Sequence, residues 1–174
     1  MTNDKTIFIA TATTPQDYAV AASLFKAYQQ ELGVDLCFLS FQQELENLPA
    51  MYGEPKGCLL LAKNGDDIIG CVALRPKEAG QCEMKRLYVQ PAFRKFKIGD
   101  ALVAAILKEA ERLGYAKMKL DTLERLQPAI RLYLKHGFEI TTAYYHNPLP
   151  EVVYMEKPLN RLSITTGKCA CSNT

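Results

Sequence analysis

The chain has 174 residues, a length typical of one domain, and 48% of them are hydrophobic, which argues against a disordered protein. The formal net charge is only +2, so no strong basic field indicates nucleic acid as a partner. The sequence predicts neither a signal peptide nor a membrane span, and we therefore expect a cytoplasmic protein without a membrane partner.

The first half of the chain predicts a strand, two helices and three further strands. The first helix has Thr14 as its N-cap and ends at Gly33. Ser40 and Gln43 form a possible capping box for a short second helix, which Pro49 is expected to end. Strands are predicted at residues 6–12, 57–63, 68–75 and 81–89.

The second half predicts helices that alternate with strands. Helices are expected at residues 98–113 and 128–136, and strands at 116–121, 138–145 and 151–157. Antiparallel hairpins followed by a strand–helix–strand crossover indicate an α+β fold built on a mixed sheet. We expect one domain over residues 1–159 and a disordered tail over residues 160–174.

The cysteine positions favour buried side chains over a metal site. No Cys or His cluster has the spacing of a zinc site, so no metal is expected. Cys169 and Cys171 belong to the tail, for which the sequence suggests no role. The other four lie in apolar patterns and are predicted to be small buried side chains: Cys37, Cys58, Cys71 and Cys82.

A basic loop between a strand and a helix carries the main functional signal. Arg94, Lys95 and Lys97 precede the helix that begins at Ile98, and Gly99 would let a ligand approach the backbone. The first turn of a helix has unpaired N–H groups and partial positive charge, which suit a phosphate. These residues alone leave two interpretations open, a pyrophosphate site and a solvated basic turn.

The motifs around this loop resemble the GNAT superfamily of N-acetyltransferases. Residues 87–91 match its apolar-aromatic-Val-x-Pro strand end, residues 94–99 its [QR]-x-x-G-x-[GA] loop, and residues 129–138 its A-x-x-L-Y-x-x-x-G-F segment. The resemblance extends over nearly the whole chain and is strongest from Cys82 to Phe138. It implies a mixed, mostly antiparallel central sheet flanked by helices, in a small-molecule enzyme of an uncharacterised bacterial subgroup.

The resemblance implies acetyl-CoA as co-substrate. Two positions depart from the family pattern, because Lys97 replaces the first glycine of the loop and Leu126 replaces an asparagine that many members have. The pantetheine arm is expected to pair with Leu87, Tyr88 and Val89. The pyrophosphate is expected at Arg94, Lys95, Phe96, Lys97, Ile98, Gly99 and Asp100.

Two catalytic residues are implied as well. Tyr133 matches the tyrosine that protonates the leaving thiolate, although a tyrosine on a helix can also be a packed aromatic. Glu83 is the predicted base for the acceptor amine, and its alternative is a surface carboxylate paired with Lys85 or Arg86. A covalent route through Cys82 is less favoured, since no basic partner is evident.

The acceptor is expected to be the primary amine of a small molecule, which attacks directly in a ternary complex. Alternatives are a protein-lysine or N-terminal acetyltransferase and a non-catalytic acetyl-CoA-binding module, and a homodimer is plausible because the family often pairs. Arg86 or Lys85 could hold a substrate carboxylate. The predicted acceptor residues are Tyr28, Arg86 and Tyr145, with Phe38, Tyr144, His146 and Asn147 as further candidates.

Overall fold

A computed structural model describes residues 6–36 and 40–160 of the chain. Its elements follow the predicted order with two additions, a short helix at Leu48–Tyr52 and a 3₁₀ turn at Pro91–Phe96. The strands are β1 (Ile7–Thr11), β2 (Cys58–Asn64), β3 (Asp67–Pro76), β4 (Gln81–Val89), β5 (Lys117–Leu123), β6 (Glu139–Thr141) and β7 (Val152–Pro158). The helices are α1 (Pro15–Leu32), α2 (Phe41–Glu46), α3 (Leu48–Tyr52), α4 (Ile98–Arg112) and α5 (Gln127–Lys135).

The ends of α1 confirm the prediction from its caps. The Thr14 hydroxyl accepts a hydrogen bond from the Asp17 backbone N–H at 3.1 Å, and the Asp17 carboxylate accepts from the Thr14 N–H at 3.1 Å. This reciprocal pair satisfies N–H groups that the first helical turn leaves without partners. At the other end Gly33 adopts φ 65°, the left-handed conformation that a glycine reaches without steric cost.

Three local predictions are wrong. Ser40 itself adopts the left-handed conformation at φ 57°, and its hydroxyl makes no capping hydrogen bond to α2. Pro49 lies in the first turn of α3 rather than ending α2, because a first-turn position needs no N–H donor. The strand predicted at 138–145 is only three residues long, since the chain leaves the sheet after Thr141 and forms a loop at residues 142–151.

The strands form one mixed, mostly antiparallel sheet of seven strands in the order β1-β2-β3-β4-β5-β7-β6. Only the β4–β5 pair is parallel. Helix α4 packs on one face with Leu102, Val103 and Ile106, none of which has exposed surface. Helices α1 to α3 cover part of the other face, where Phe25 and Tyr52 are also fully buried. The predicted fold class is thus confirmed.

Three of the predicted buried cysteines, Cys58, Cys71 and Cys82, are free thiols in the two cores. Cys37 lies outside the described residues, as do Phe38 and positions 161–174, which hold most of the predicted tail. Of the helices in residues 6–36 and 40–160, none is long and apolar enough to cross a membrane.

Strand β4 contains a bulge, and its second half does not pair with β5. The β3–β4 register shifts between Cys71 and Ala73, and Arg86 adopts φ 57° at this bulge. In the described structure β5 pairs with β4 only at residues 81–83. Beyond Glu83 the two parallel strands diverge, so the second half of β4 presents a backbone edge to the space between them.

Candidate active site

A cleft of about 530 Å³ lies beside this edge of β4, bounded by α1, the start of α4 and α5. Three predicted cofactor residues are not on its wall, because Lys95 and Phe96 are exposed outside it and Ile98 points into the core. The other seven line it: Leu87, Tyr88, Val89, Arg94, Lys97, Gly99 and Asp100. Two separate segments predicted from the sequence therefore form one surface.

Lys97 occupies a left-handed backbone position directly before α4, with φ 57°. A glycine adopts this conformation freely, whereas a side chain there costs about 1 kcal/mol or more. This strain explains why the matching family position is a glycine and shows that the departure at Lys97 leaves the turn intact. An added Cβ at Gly99 would meet Leu132 at 3.5 Å, an ordinary contact, so alanine is also compatible with the next motif position.

The N-terminus of α4 lies at the edge of the cleft, where its first-turn N–H groups lack helical partners. The Asp100 carboxylate in this turn accepts hydrogen bonds from Lys135 Nζ at 2.9 Å and His136 Nε2 at 2.8 Å. These two contacts, with Lys135 first, hold the pKa of Asp100 below its usual value. His136, at the C-terminal end of α5, thus joins that helix to the start of α4.

Arg94 connects the basic loop to α1 across the cleft. Its Nε donates to the Val89 carbonyl at 2.9 Å and its Nη2 donates to the Glu31 carboxylate at 2.7 Å. The guanidinium also lies 5.6 Å from the centre of the Tyr88 ring. Arg94, the cation predicted to bind phosphate, therefore also forms an ion pair with Glu31 of α1. Sequence reasoning did not predict this pair.

Tyr133 lies at the inner end of the cleft, in a second void of about 50 Å³ that also includes Lys85 and Asp121, here called the inner void. Among residues 6–36 and 40–160, no group forms a hydrogen bond with the Tyr133 hydroxyl. Burial raises the pKa of Tyr133 well above its usual value, so the phenol stays protonated. Its ring also packs edge-on against Phe138, so the packing role and a chemical role coexist.

Glu83 has no exposed surface, and both carboxylate oxygens have partners. Arg75 donates to Oε2 at 2.7 and 2.8 Å, and Tyr144 donates to Oε1 at 2.8 Å. Burial alone would raise the pKa of Glu83, but the cations Lys85 and Arg75 bring it below its usual value. The pairing that the sequence left as an alternative is present with Lys85, at 3.8 Å, although the carboxylate is buried rather than on the surface.

Asp121 is a functional candidate that sequence reasoning missed. It lines the inner void with 14% of its side chain exposed, and it accepts hydrogen bonds from Lys85 at 3.1 Å and Tyr145 at 3.0 Å. The alternation of β5 was the available signal, since Lys117, Lys119 and Asp121 must share one face of the sheet. Asp121 is therefore a carboxylate close to both Tyr133 and open space.

Arg86 lines the inner void, but its guanidinium already has a partner. Its Nε and Nη2 donate to the two oxygens of Glu44 in α2, at 2.9 and 2.6 Å, and both side chains are buried. The Tyr52 hydroxyl donates to the same carboxylate at 2.7 Å. The two N–H groups of Arg86 that could have bound a substrate carboxylate thus already bind the carboxylate of Glu44.

A third void of about 110 Å³, here called the basic pocket, is lined by Glu44, Arg75, Lys77, Lys85, Arg86 and Tyr145. It shares Lys85 and Arg86 with the inner void. All three predicted acceptor residues therefore line these two adjoining voids. Tyr28 lines the inner void, Tyr145 lines the basic pocket, and Arg86 lines both. Of the further candidates, Asn147 also lines the inner void and His146 is exposed.

The Cys82 thiol and the metal-ligating residue types bear on two sequence-based expectations. Burial raises the pKa of the Cys82 thiol to about 12, so this side chain is a poor nucleophile. In the described part of the chain, no group of three or more His, Cys, Asp or Glu side chains could hold a metal ion.

Comparisons with known proteins identify the family. Residues 21–138 match the model of the acetyltransferase (GNAT) family. An uncharacterized N-acetyltransferase of Schizosaccharomyces pombe is 44% identical, over 92% of this chain and all of that protein, and one of Dictyostelium discoideum is 30% identical, over 72% and 86%. A GNAT-family acetyltransferase structure from Staphylococcus aureus has a TM-score of 0.75 at 19% identity, over 89% of this chain and all of that one.

The relatives from yeast and amoeba leave the expected bacterial subgroup unconfirmed, whereas the superfamily prediction is confirmed. The chain therefore belongs to the GNAT family and is an acyl-CoA-dependent acetyltransferase.

Proposed function

We propose that the protein transfers an acetyl group from acetyl-CoA to the primary amine of a small molecule, by direct attack in a ternary complex. One observation carries the proposal: the edge of β4 beyond Glu83 borders a cleft that leads to the Tyr133 hydroxyl. An extended pantetheine arm can hydrogen-bond to such an edge as an added strand does. This arrangement would bring the thioester to the inner end of the cleft.

The cleft fits the remainder of CoA in size and charge. About 530 Å³ lies within the usual range for small-molecule sites. The free N–H groups at the start of α4, together with Arg94 and Lys97, favour the pyrophosphate at the cleft edge. Leu126 lines the same wall, where it offers apolar contact in place of the side-chain hydrogen bond of many family members.

The chemistry requires alignment of amine and thioester and two proton transfers. The amine nitrogen forms a bond to the acetyl carbon, the carbon–sulfur bond breaks, and Tyr133 donates its proton to the departing thiolate. Backbone N–H groups near Tyr88 and Val89 stabilise the developing oxyanion. Glu83 stays the predicted base that takes the amine proton, and because it is fully buried it would need a water relay. Asp121 is a second candidate for this base, because it borders the inner void.

The dimensions of the acceptor side favour a small molecule over a protein chain. The inner void and the basic pocket measure about 50 and 110 Å³. The loop at residues 142–151 covers them, fastened by the Tyr144 and Tyr145 hydroxyls on Glu83 and Asp121. A peptide acceptor would need this loop to move away, whereas a small amine fits beneath it.

Calorimetry with acetyl-CoA, followed by a thiol-release assay on a panel of amines, tests the proposal. We expect binding, and acetyl-CoA consumption that depends on a small primary amine. Binding without consumption in the presence of any amine would favour the non-catalytic module. Consumption only with peptides would favour the protein acetyltransferase, and no binding of acetyl-CoA would reject the proposal as a whole.

Replacing Glu31 by glutamine is expected to tighten acetyl-CoA binding about 5-fold. The change removes a negative charge beside the cleft and releases Arg94 from its 2.7 Å ion pair, so the guanidinium becomes available to the pyrophosphate. Calorimetric titration at low and high salt measures the effect, which should shrink as salt screens it. Equal or weaker binding would mean that Arg94 supports the cleft through Val89 rather than through phosphate.

A further inference from the structure

We propose that the acceptor amine carries a carboxylate, which Lys77 binds in the basic pocket. This inference rests on the proposed acetyl transfer to a small-molecule amine and names the chemical class of that amine. It transfers the role that the sequence offered to Arg86 or Lys85 to a residue that sequence reasoning did not consider.

The sheet face under the loop at residues 142–151 has an excess of positive charge. Its carboxylates on α2, β4, β5 and β7 are Glu44, Glu83, Asp121 and Glu156. Each is engaged by a cation: Arg86 on Glu44 at 2.6 Å, Arg75 on Glu83 at 2.7 Å, Lys85 on Asp121 at 3.1 Å and Lys117 on Glu156 at 2.9 Å. Against these four carboxylates stand six cationic side chains: Arg75, Lys77, Lys85, Arg86, Lys117 and Lys119.

Lys77 and Lys119 are the two cations left over. Within residues 6–36 and 40–160, neither has a carboxylate oxygen within 4 Å. Their ammonium groups lie 5.1 Å from the centre of the Tyr144 ring, and that of Lys77 also lies 5.2 Å from Tyr145. An aromatic ring attracts a cation only weakly compared with an anion. An anionic group would therefore gain the most at this position.

Lys77 also lies where an anion has room. It lines the basic pocket of about 110 Å³, whereas Lys119 does not. Lys85 and Arg86 connect this pocket to the inner void, where Asp121 and Tyr133 are. A carboxylate on Lys77 thus leaves the amine of the same molecule within reach of Asp121 and the thioester site.

The buried charges themselves support a recognition role. Burying ion pairs such as Arg86–Glu44 and Arg75–Glu83 stabilises a fold little, because desolvation offsets the attraction. Clusters of such groups are concentrated at functional sites. A polycationic acceptor would be repelled by the unmatched lysines, and a neutral one would leave them without an anion.

Matched acceptors provide the test: a series of α- and ω-amino acids, their carboxamides, and polyamines, each assayed for acetyl-CoA-dependent acetylation. We expect turnover to concentrate in the carboxylates, with KM about 10-fold or more below that of the matching carboxamides. Lys77→Gln should raise KM for the carboxylates about 10-fold and leave the carboxamides unchanged. Lys108→Gln, at an exposed position on α4, is the matched control and should change neither.

The inference is overturned if no carboxylated amine is acetylated, or if carboxamides or polyamines are acetylated as well as carboxylates. It is also overturned if Lys77→Gln raises KM equally for acids and amides. Calorimetry with acetyl-CoA on the same samples separates the two proposals, because cofactor binding and turnover of neutral amines would leave the proposed acetyl transfer standing while the carboxylate assignment fails.

Discussion

Tyr133→Phe is expected to lower kcat about 100-fold while leaving the Kd for acetyl-CoA nearly unchanged. The hydroxyl makes no hydrogen bond within the described structure and faces the inner void, so its removal takes away a proton donor and no folding contact. Burial raises the pKa of this phenol, and the donor therefore stays protonated as the pH rises. Steady-state kinetics with the chosen amine, together with calorimetry, measure both quantities.

Tyr115→Phe is the matched control for this change. The Tyr115 hydroxyl donates to the Lys56 carbonyl at 2.5 Å, away from the cleft, so its loss should cost about 1 kcal/mol of stability and leave kcat intact. If Tyr133→Phe retains wild-type kcat, Tyr133 is only a packing partner of Phe138. If kcat falls on the alkaline side in the wild type but not in the variant, Tyr133 must be protonated for turnover. That result would support the proton-donor role and contradict the raised pKa of the phenol.

The predictable part of the fold came from local signals. Thr14 and Asp17 cap α1 through atoms three residues apart, which a short sequence window contains. Ser40 shows where such a window fails, because its backbone is left-handed and its hydroxyl makes no capping hydrogen bond to α2. The aromatic run after Thr141 reads as a strand, but the Tyr144 hydroxyl bonds to Glu83 across 61 positions of the chain and holds a loop instead.

The candidate site also has a part that local sequence signals predict, the cofactor side, and a part that they do not, the acceptor side. The predicted cofactor residues form two segments close together in the chain, between Leu87 and Asp100, so a motif finds them together, and most of them line one cleft. The acceptor side is assembled from β3, β4, β5, α2 and a loop, and no window of sequence contains it. Arg86 illustrates the consequence, since its partner Glu44 is 42 positions away and determines whether the guanidinium is available to a substrate.

Glu44→Leu is expected to lower the free energy of unfolding by about 3–5 kcal/mol, because it leaves the Arg86 guanidinium buried without its partner. The Tyr52 hydroxyl loses its acceptor in the same variant. Chemical denaturation at neutral pH measures the change. Glu31→Gln is the exposed counterpart, and breaking its pair with Arg94 should cost no more than about 1 kcal/mol.

Combining Glu44→Leu with Arg86→Met should recover most of the loss, since apolar side chains of similar size replace the whole ion pair.

Burial alone would raise the pKa of Glu44, but hydrogen bonds from Arg86 and Tyr52 hold it below its usual value. The stabilisation from this carboxylate is therefore present above the unfolded pKa of about 4.3 and is lost as the pH falls below it. A Glu44→Leu variant within about 1 kcal/mol of wild type would mean that Arg86 reaches another anion or water. Its guanidinium would then be free to hold a substrate carboxylate, as the sequence predicts.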